Sequence, residues 1–472
     1  SKLRHLCLYL KSKKLPFIML IKNYIIFCTL VLFFSHCKIP TAQVEATTST
    51  ERIQLADTLE QLLKSNLVDT WYPAAIDTQY GGYLSTFNAT FKPVGNQDKM
   101  IVSQARHLWN NAKASKHWSG EKKYRDFARH GFAFLQDKMW DKDHGGFFWQ
   151  VDRSGKPRGD SSKTAYGNAF GLYAVSAYYA ASKDPAALAM AQKSFRWLEQ
   201  YSHDPIHGGY YQHLSKTGAI QKRLSTTPST SDLGYKDQNS SIHLLEAFTE
   251  LYQIWPDPLV KTRLEEMIYL IRDKIVNEKG NLVLFFQPDW TPVSFRDSSR
   301  TSILRHHALD HVSWGHDIET AYLLMEASHV AGWHNDTITW RIAKKMTDQC
   351  LNLGWDDALG GFYDEGYFFK PNEITVTQDT KNWWTQAEAL NTLLIMADLY
   401  PRDPLNYYSK FKKQWAYIKQ YLIDHQNGEW YDSGLDKDPR SAQRNKGHIW
   451  KAGYHQYRTL ENCILRLREK HK

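Results

Sequence analysis

Residues 77–83 read Asp77-Thr-Gln-Tyr-Gly81-Gly-Tyr83, and residues 141–147 repeat the pattern as Asp141-Lys-Asp-His-Gly145-Gly-Phe147. Further copies, of which the one at Asn277 is the weakest, begin at Asp204, Asn277, Asp356 and Asp424. An Asp or Asn followed by glycine and then by an aromatic or aliphatic residue is typical of a turn that leads into a short strand. Because the copies recur at intervals of roughly 60 to 80 residues, the sequence predicts six repeated units.

The stretches between these turns have the period of helices. Phe195, Trp197 and Leu198 lie near one face of such a stretch, and Leu244 and Phe248 follow the same spacing. Each interval has room for two helices of ordinary length. The prediction is therefore an all-α fold, an (α/α)6 barrel of six helical hairpins with short β-hairpin or loop insertions, in a single domain spanning 51–472. An open solenoid of helical pairs is the alternative, but six units with an irregular period favour closure.

The net charge of the 472 residues is +9, yet the excess is concentrated in the first 40 residues. That segment holds seven Lys or Arg and no acidic residue, so the remainder of the chain is nearly neutral. A basic surface for nucleic acid is therefore not expected.

Residues 1–43 are predicted to be a leader. Met19 is followed by Lys22 and an apolar run over 24–34, which is typical of an export signal and too short to span a membrane. Residues 1–18 look like sequence upstream of the natural start. Cys37 follows Phe-Ser-His, which resembles a bacterial lipoprotein signal. We therefore expect export, either to the periplasm or as a lipoprotein anchored at Cys37.

Cysteine usage argues against a disulfide framework. Of five cysteines, only Cys350 and Cys463 lie outside the leader. Neither belongs to a cluster of residues with metal-ligand spacing. We expect no metal and no cofactor.

Two segments of the first half place polar side chains on helices. Arg106 lies in an otherwise apolar stretch, where it either forms a structural salt bridge or holds an anionic oxygen in a cavity. Asn239 and His243 are four residues apart and share one helix face. A helix cap or a satisfied core contact is the alternative for this pair.

The segment Trp314-Gly-His316-Asp-Ile-Glu319 sets an imidazole and a carboxylate three residues apart on one face. We expect Glu319 to orient or polarise His316. Half of a metal site is the alternative, but no third and fourth ligand stand at recognisable spacing.

The last two segments add aromatic residues beside charged ones. Trp383 and Trp384 precede Glu388, and Trp450 precedes His455. Tryptophan exposed over a cavity is a stacking platform for sugars, although either member of the pair fits a core role equally well.

These segments carry a resemblance to a known family. Gly315–Leu324, Trp383–Leu390 and Trp450–His455 resemble the N-acylglucosamine 2-epimerase superfamily and are most similar to its cellobiose 2-epimerases. The resemblance runs from about residue 55 to about 465 and implies an (α/α)6 barrel.

The resemblance also implies roles for single residues. His316 and His455 match two catalytic histidines, and Glu319 matches a partner carboxylate. The positions that match residues around the reacting end of the sugar are Arg106, Tyr166, Asn239 and His243. The positions that match sugar contacts are Trp384, Glu388 and Trp450, with Trp383 beside them.

The implied reaction is epimerisation at C2 of a reducing sugar. One imidazole removes the C2 proton of the open-chain aldehyde to give a cis-enediolate, and the other returns a proton to the opposite face. Arg106, with help from His243, stabilises the developing oxyanion. Asp317 and the Trp383–Trp384 pair favour a β-1,4-linked disaccharide over a monosaccharide, and we expect a monomer.

Four alternatives stay open. Within the family, the chain is a monosaccharide isomerase or an N-acylglucosamine 2-epimerase. From another reaction class, it is an inverting glycoside hydrolase, for which Asp317, Glu319 and Glu388 are candidate carboxylates. Outside enzymes, it is a glycan-binding protein that uses the tryptophans alone.

Overall fold

The computed structural model describes residues 49–469, so the leader and the predictions made for Cys37 lie outside the described residues. Within that range, twelve helices have 13 residues or more. In chain order they are α1 Ser49–Leu62, α2 Ile101–His117, α3 Lys122–Phe134, α4 Ala165–Ser182, α5 Pro185–Tyr201, α6 Gln238–Ile254, α7 Pro258–Leu270, α8 Trp314–Val330, α9 Thr337–Leu353, α10 Trp383–Leu399, α11 Tyr407–Tyr421 and α12 Tyr454–Glu469. None of the described helices has both the length and the apolar character needed to cross a bilayer.

The even-numbered helices form a closed inner ring. Each of them packs against the next even-numbered helix, and α12 returns to contact α2. The odd-numbered helices lie outside this ring, and each packs mainly against one inner helix. This arrangement confirms the predicted (α/α)6 barrel and excludes the open solenoid.

One detail of the predicted hairpins is wrong. The prediction joined all six pairs in sequence, whereas the sixth pair combines α12 with α1 at the other end of the described chain. The two ends of the domain thus complete the ring together. Arg52 of α1 reinforces this contact, since its guanidinium pairs with Asp398 of α10 at 3.1 Å and donates to the carbonyl oxygen of Arg466.

The two rings differ in burial because they have different neighbours. Residues 165–178 of α4 are buried on every face, which is expected of a helix enclosed by other helices. The outer helix α5 buries one stripe that includes Ala191, Phe195 and Leu198, and its other residues are half-buried or exposed. These are residues whose periodicity predicted the helix.

Short strands lie at the end of the barrel where the inner helices begin. The pairs are β1 Lys99–Met100 with β2 Gln150–Val151, β3 Lys163–Thr164 with β4 His213–Leu214, and β5 Lys236–Asp237 with β6 Phe285–Phe286. A three-stranded sheet joins β7 Val312–Ser313, β8 Glu365–Lys370 and β9 Glu373–Gln378. Each of the three pairs joins the start of one inner helix to a loop further along the chain, and the β7–β8 pairing does the same. Backbone hydrogen bonds therefore hold this end of the barrel together.

The repeated turns precede the inner helices and are built alike. In the second copy, the Oδ1 atom of Asp141 accepts the backbone N–H of Asp143 at 2.9 Å. Gly146 follows at φ +73°, and a Cβ atom there would lie 2.7 Å from the ring of Trp197. Glycine is therefore required twice over, for its backbone conformation and for its lack of a side chain.

A buried lysine completes five of the six turns. Its Nζ atom pairs with the turn aspartate at 3.0 Å or less, and the pairs are Lys99–Asp77, Lys163–Asp141, Lys236–Asp204, Lys381–Asp356 and Lys446–Asp424. In the fourth turn Asn277 replaces the aspartate. The lysine is replaced as well: four other inner helices carry it two residues before their first residue, and α8 has Val312 at that position. Both charges are absent together, which avoids leaving either one buried alone.

We expect the substitution Lys236→Met to lower the free energy of unfolding by about 3–5 kcal/mol, because it strands the buried carboxylate of Asp204. Burial by itself raises the pKa of Asp204, and the Lys236 ammonium together with backbone N–H donors outweighs it and holds that pKa below its usual value. The measurement is denaturant unfolding at pH 7, with the exposed Lys222→Met as the control. A loss below about 1 kcal/mol would mean that the pair is dispensable.

Candidate active site

A cavity of about 340 Å³ opens among the N-terminal ends of the inner helices. Its lining residues are Arg106, Tyr166, Asn239, His243, His316, Glu319, Trp383, Trp384, His448, Trp450 and His455. These include every predicted site residue except Glu388, together with the unpredicted His448. Residues from six different inner helices or their leading loops thus converge on one concave surface, as small-molecule sites do.

His316 lies in the first turn of α8 and is held by Ser313. The Nδ1 atom of His316 is 2.9 Å from Ser313 Oγ. Ser313 is the N-cap residue of α8, yet its side chain makes no capping hydrogen bond to the helix backbone. A cap interaction, ordinarily worth about 1 kcal/mol, is given up to orient an imidazole, which is typical of functional sites.

Gly315 allows the neighbouring indole to pack against this turn. A Cβ atom at Gly315 would lie 2.4 Å from the ring of Trp384. The rings of His316 and Trp384 are 4.8 Å apart, and the rings of Trp384 and His455 are 5.8 Å apart. One indole therefore lies against both histidines.

His455 is held by a carboxylate. Its Nδ1 atom is 2.5 Å from Oε1 of Glu388 and 4.0 Å from Oε1 of Glu319. Glu388 was predicted to contact the sugar, but it is fully buried and absent from the cavity wall. Its carboxylate reaches the cavity only through His455.

Burial lowers the proton affinity of both histidines. The pKa of His316 falls to about 3, because burial and the neighbouring His243, His311 and His455 disfavour the imidazolium. Burial also holds the pKa of His455 well below its ordinary value, helped by the positive charge of Arg106. Both imidazoles are thus neutral at pH 7 in the absence of a ligand.

Arg458 occupies the floor beneath these histidines. Its guanidinium forms ion pairs with Glu246, Glu319 and Glu388, the last at 2.7 Å. The hydroxyl of Tyr322 donates to Glu388 at 3.0 Å. Sequence reasoning missed Arg458, Glu246 and Tyr322, although Arg458 lies only three residues after His455.

The expected partnership between Glu319 and His316 is wrong. Glu319 pairs instead with Arg458, whose full charge is a stronger partner than a neutral imidazole. The prediction rested on their spacing along α8, which brings the two residues to one face but does not choose between partners on other helices.

Asp317 also differs from expectation. Its carboxylate accepts hydrogen bonds from Asn281 Nδ2 at 2.8 Å and from the backbone N–H of Leu282 at 2.7 Å, and it does not line the cavity. Burial raises the pKa of Asp317 to about 7. Asp317 therefore joins α8 to the fourth turn and supplies no argument for a disaccharide.

His243 and Arg106 both line the cavity, but their hydrogen-bond partners differ. His243 Nδ1 is 2.9 Å from Glu246 Oε2, which leaves its Nε2 atom as the nitrogen free to meet a ligand. Arg106 donates through Nη1 to the carbonyl oxygen of Trp450, and its cation lies over the rings of Phe170 and Tyr454. Among residues 49–469, no carboxylate forms an ion pair with Arg106, so its structural salt-bridge interpretation is wrong.

The mouth of the cavity is aromatic. Trp450 is 43% exposed, and its ring lies 5.9 Å from that of Trp149. The unpredicted His448 contacts Asp432 through Nε2 at 3.0 Å and packs edge-on against Trp383. Its position in the loop just before Trp450 is the signal by which sequence reasoning would have found it.

The sequence model of the family described as N-acylglucosamine 2-epimerase (GlcNAc 2-epimerase) matches residues 81–458. The chain belongs to this family. It is accordingly a carbohydrate epimerase or isomerase.

Cellobiose 2-epimerases are similar to this chain over nearly their whole length. The Bacteroides fragilis enzyme is 27% identical, with 88% of this chain and 99% of that one aligned. The Ruminococcus albus enzyme is 30% identical over 86% and 98% of the two chains. The solved cellobiose 2-epimerase of Bacillus thermoamylovorans B4167 superposes with a TM-score of 0.75 at 25% identity, covering 88% and 99%. A D-mannose isomerase from Thermobifida fusca is 24% identical over 78% and 86%.

Glu319, Glu388 and His455 have ligand atoms close enough together to share one metal ion. The guanidinium of Arg458 already lies against both of these carboxylates. A metal ion bound there would meet a positive charge that is buried and hydrogen-bonded, so this set of donors does not fit a metal.

Proposed function

We propose that this epimerase interconverts the C2 epimers of the reducing-end sugar of a β-1,4-linked disaccharide, with His316 and His455 as the acid–base pair. The observation that carries the proposal is the convergence of two neutral histidines and an arginine without a carboxylate partner on one cavity. A carbohydrate whose reducing end binds there meets a base, an acid and an anion-stabilising group together.

His455 is suited to remove the C2 proton. Because Glu388 accepts the Nδ1 proton, the lone pair of His455 lies on Nε2. The electrons of the C2–H bond form the C1=C2 double bond, and those of the C1 carbonyl move onto its oxygen to give the enediolate. The imidazolium that results is stabilised by Glu388 and by the new anion.

His316 is suited to return a proton to the opposite face of C2. Its low pKa belongs to the free enzyme, and the enediolate charge raises the proton affinity of a neighbouring imidazole. Proton uptake from solvent by His316 therefore accompanies enediolate formation, and His455 releases its proton to solvent afterwards. In the reverse direction the two roles are exchanged.

Arg106 is suited to bind the C1 oxygen as its negative charge develops. Its Nε atom has no hydrogen-bond partner in residues 49–469, and neither has the Oδ1 atom of Asn239. Such donors and acceptors are typical of a site whose partners arrive with the substrate. His243, with its free Nε2, is a second group for the same oxygen.

We expect Arg106→Met to lower kcat by about 10²–10³-fold, the usual effect of removing one preorganised donor to an oxyanion. Methionine keeps the packing against Phe170 and Tyr454, so the free energy of unfolding is expected to change little. The measurement is steady-state epimerisation. A lower affinity with unchanged kcat would assign Arg106 to ground-state binding instead.

A disaccharide is favoured by the aromatic mouth. Trp384 lies beside both histidines, where the reducing ring would stack, and the exposed Trp450 offers a second platform for the next ring. The similarity to cellobiose 2-epimerases supports the same assignment. Asp317 plays no part in this argument, since it faces away from the cavity.

A monosaccharide isomerase is the second candidate, supported by the similarity to D-mannose isomerase. The same enediolate gives a ketose when the proton is returned to C1 instead of C2. An inverting hydrolase is disfavoured, because Glu319 is the one carboxylate among the residues lining the cavity and Arg458 already engages it. A glycan-binding protein without activity leaves the histidine pair unexplained.

NMR in deuterated water tests the proposal, with cellobiose, β-1,4-mannobiose and D-mannose as separate substrates. We expect the C2 epimer of the disaccharide to appear with deuterium at C2 and with its glycosidic bond intact. Ketose formation from D-mannose alone would favour the isomerase. Free monosaccharides from cellobiose would favour the hydrolase, and unchanged sugars would favour the binding protein.

A further inference from the structure

Three clusters of histidine and carboxylate side chains in residues 49–469 have ligand atoms within 4.8 Å of one another. They are Asp141–Asp143–His144, Glu319–Glu388–His455 and His307–His311–Glu365. In the first, Lys163 already pairs with Asp141 at 2.8 Å, and in the second Arg458 pairs with both carboxylates. In the described part of the chain, neither a lysine nor an arginine forms an ion pair with Glu365. The third cluster alone therefore lacks a built-in cation.

Two imidazoles approach the two oxygens of Glu365 at similar distances. His307 Nδ1 is 3.6 Å from Oε2, and His311 Nε2 is 3.7 Å from Oε1. Both distances are too long for hydrogen bonds. They are close to the separation of about 3.4 Å expected between two ligands that each lie about 2.1 Å from one tetrahedral ion.

The remaining nitrogens of both imidazoles are already engaged. His307 Nε2 lies 3.1 Å from Thr377 Oγ1, and His311 Nδ1 lies 3.1 Å from the carbonyl oxygen of His307. The carbonyl can only accept, so it holds the proton of His311 on Nδ1 and leaves the lone pair on Nε2, toward Glu365. Outer partners of this kind fix the tautomer and ring orientation of metal-binding histidines.

We propose that His307, His311 and Glu365 form a binding site for a divalent transition-metal ion, best suited to Zn²⁺. Two imidazoles and a carboxylate are a common zinc ligand set, and the half-buried position of these residues would leave the fourth coordination position open to water. This assignment is independent of the proposed reaction and of the central Arg458 cluster.

An ion bound at this site would cross-link two segments of the chain beside the catalytic cavity. His307 and His311 bracket a short helical turn, whereas Glu365 opens β8. Glu365 is also the backbone partner of Ser313, which holds His316. An ion bound here would tie the segment that enters α8 to the β8–β9 hairpin.

Titration of the full chain with ZnCl₂ after chelator treatment and desalting tests the proposal, with CoCl₂ absorption reporting the ligand geometry. We expect one ion per chain, visible d–d bands of a low-symmetry cobalt site, and a Kd for Zn²⁺ raised at least about tenfold in Glu365→Gln and in His307→Asn. The matched control is the variant His329→Asn, in which the altered histidine neighbours His334 and lies outside the proposed site. This variant is expected to bind Zn²⁺ as tightly as the wild type. Equal melting temperatures in chelator would show that the variants fold.

Three outcomes would overturn the proposal. The first is the absence of stoichiometric binding to the wild-type chain. The second is binding that both Glu365→Gln and His307→Asn leave unchanged. The third is binding that His455→Asn abolishes while Glu365→Gln leaves it intact, which would assign the ion to the central cluster instead.

Discussion

The variant His316→Asn is expected to lose about 10²–10⁴-fold in the rate of epimerisation, while one substrate epimer still exchanges its C2 hydrogen with solvent. His455 remains in this variant and serves one face of C2. It removes the proton of the epimer whose C2–H bond faces it, and it returns a solvent proton to the same face. Exchange without inversion therefore identifies His316 as the group that serves the opposite face.

The variant His455→Asn is expected to show the same result with the two substrate epimers exchanged. Its rate of epimerisation falls by a similar factor, and the C2 exchange that survives belongs to the other epimer. Incubation of each variant with each epimer in deuterated water, followed by NMR at C2, measures exchange and inversion together. The control is His334→Asn, an exposed histidine outside the cavity. Exchange in the same epimer for both variants would contradict the two-face assignment.

The variant Arg458→Met is expected to destabilise the fold by about 3–5 kcal/mol at pH 7, because it leaves three buried carboxylates without their shared cation. Burial by itself raises the pKa of Glu246, and the charge of Arg458 with the His243 hydrogen bond outweighs it and lowers that pKa to about 2. A depressed carboxylate pKa stabilises the fold above the ordinary pKa of about 4.3, and that contribution is lost as the pH falls. In the variant, burial without the arginine raises the pKa values of the stranded carboxylates, so they take up protons between pH 7 and pH 4. The difference in the free energy of unfolding between wild type and variant should therefore narrow over that range.

Denaturant unfolding at both pH values measures this gap. The exposed Arg341→Met is the control for loss of an arginine at the surface. The double variant Arg458→Met, Glu246→Gln has one stranded carboxylate fewer than Arg458→Met alone. Its free energy of unfolding should therefore lie between those of Arg458→Met and the wild type. A gap that is equal at pH 7 and pH 4 would show that lost packing, and not charge, is responsible.

Several residues were predictable because their signals are local. The turn at Asp141 and Gly145 and the helix at Phe195 and Leu198 each follow from a few neighbouring positions. Such signals depend on turn chemistry and helical period, which a short segment determines by itself. The leader and the monomeric state remain predictions.

The partners of the charged residues were not predictable in the same way. Glu319 and Arg458 are 139 residues apart in sequence, and they meet only because the inner ring closes. The five lysines that satisfy the turn aspartates lie 22 to 32 residues after them, so each pair forms only when the intervening loop folds back onto the turn. Four of these lysines stand two residues before an inner helix, a spacing that identifies them only once the helix starts are known.

By itself, then, the sequence of this protein determined the repeat, the helical hairpins and the residue types that gather at one end of the barrel. Those features follow from turn and helix preferences that act over short distances. Only the tertiary structure decided that Glu388 supports His455, that Glu319 belongs to Arg458, and that Asp317 faces away from the cavity. Buried charges pair with whichever opposite charge the closed ring brings nearest, and that choice exists only after the helices have packed.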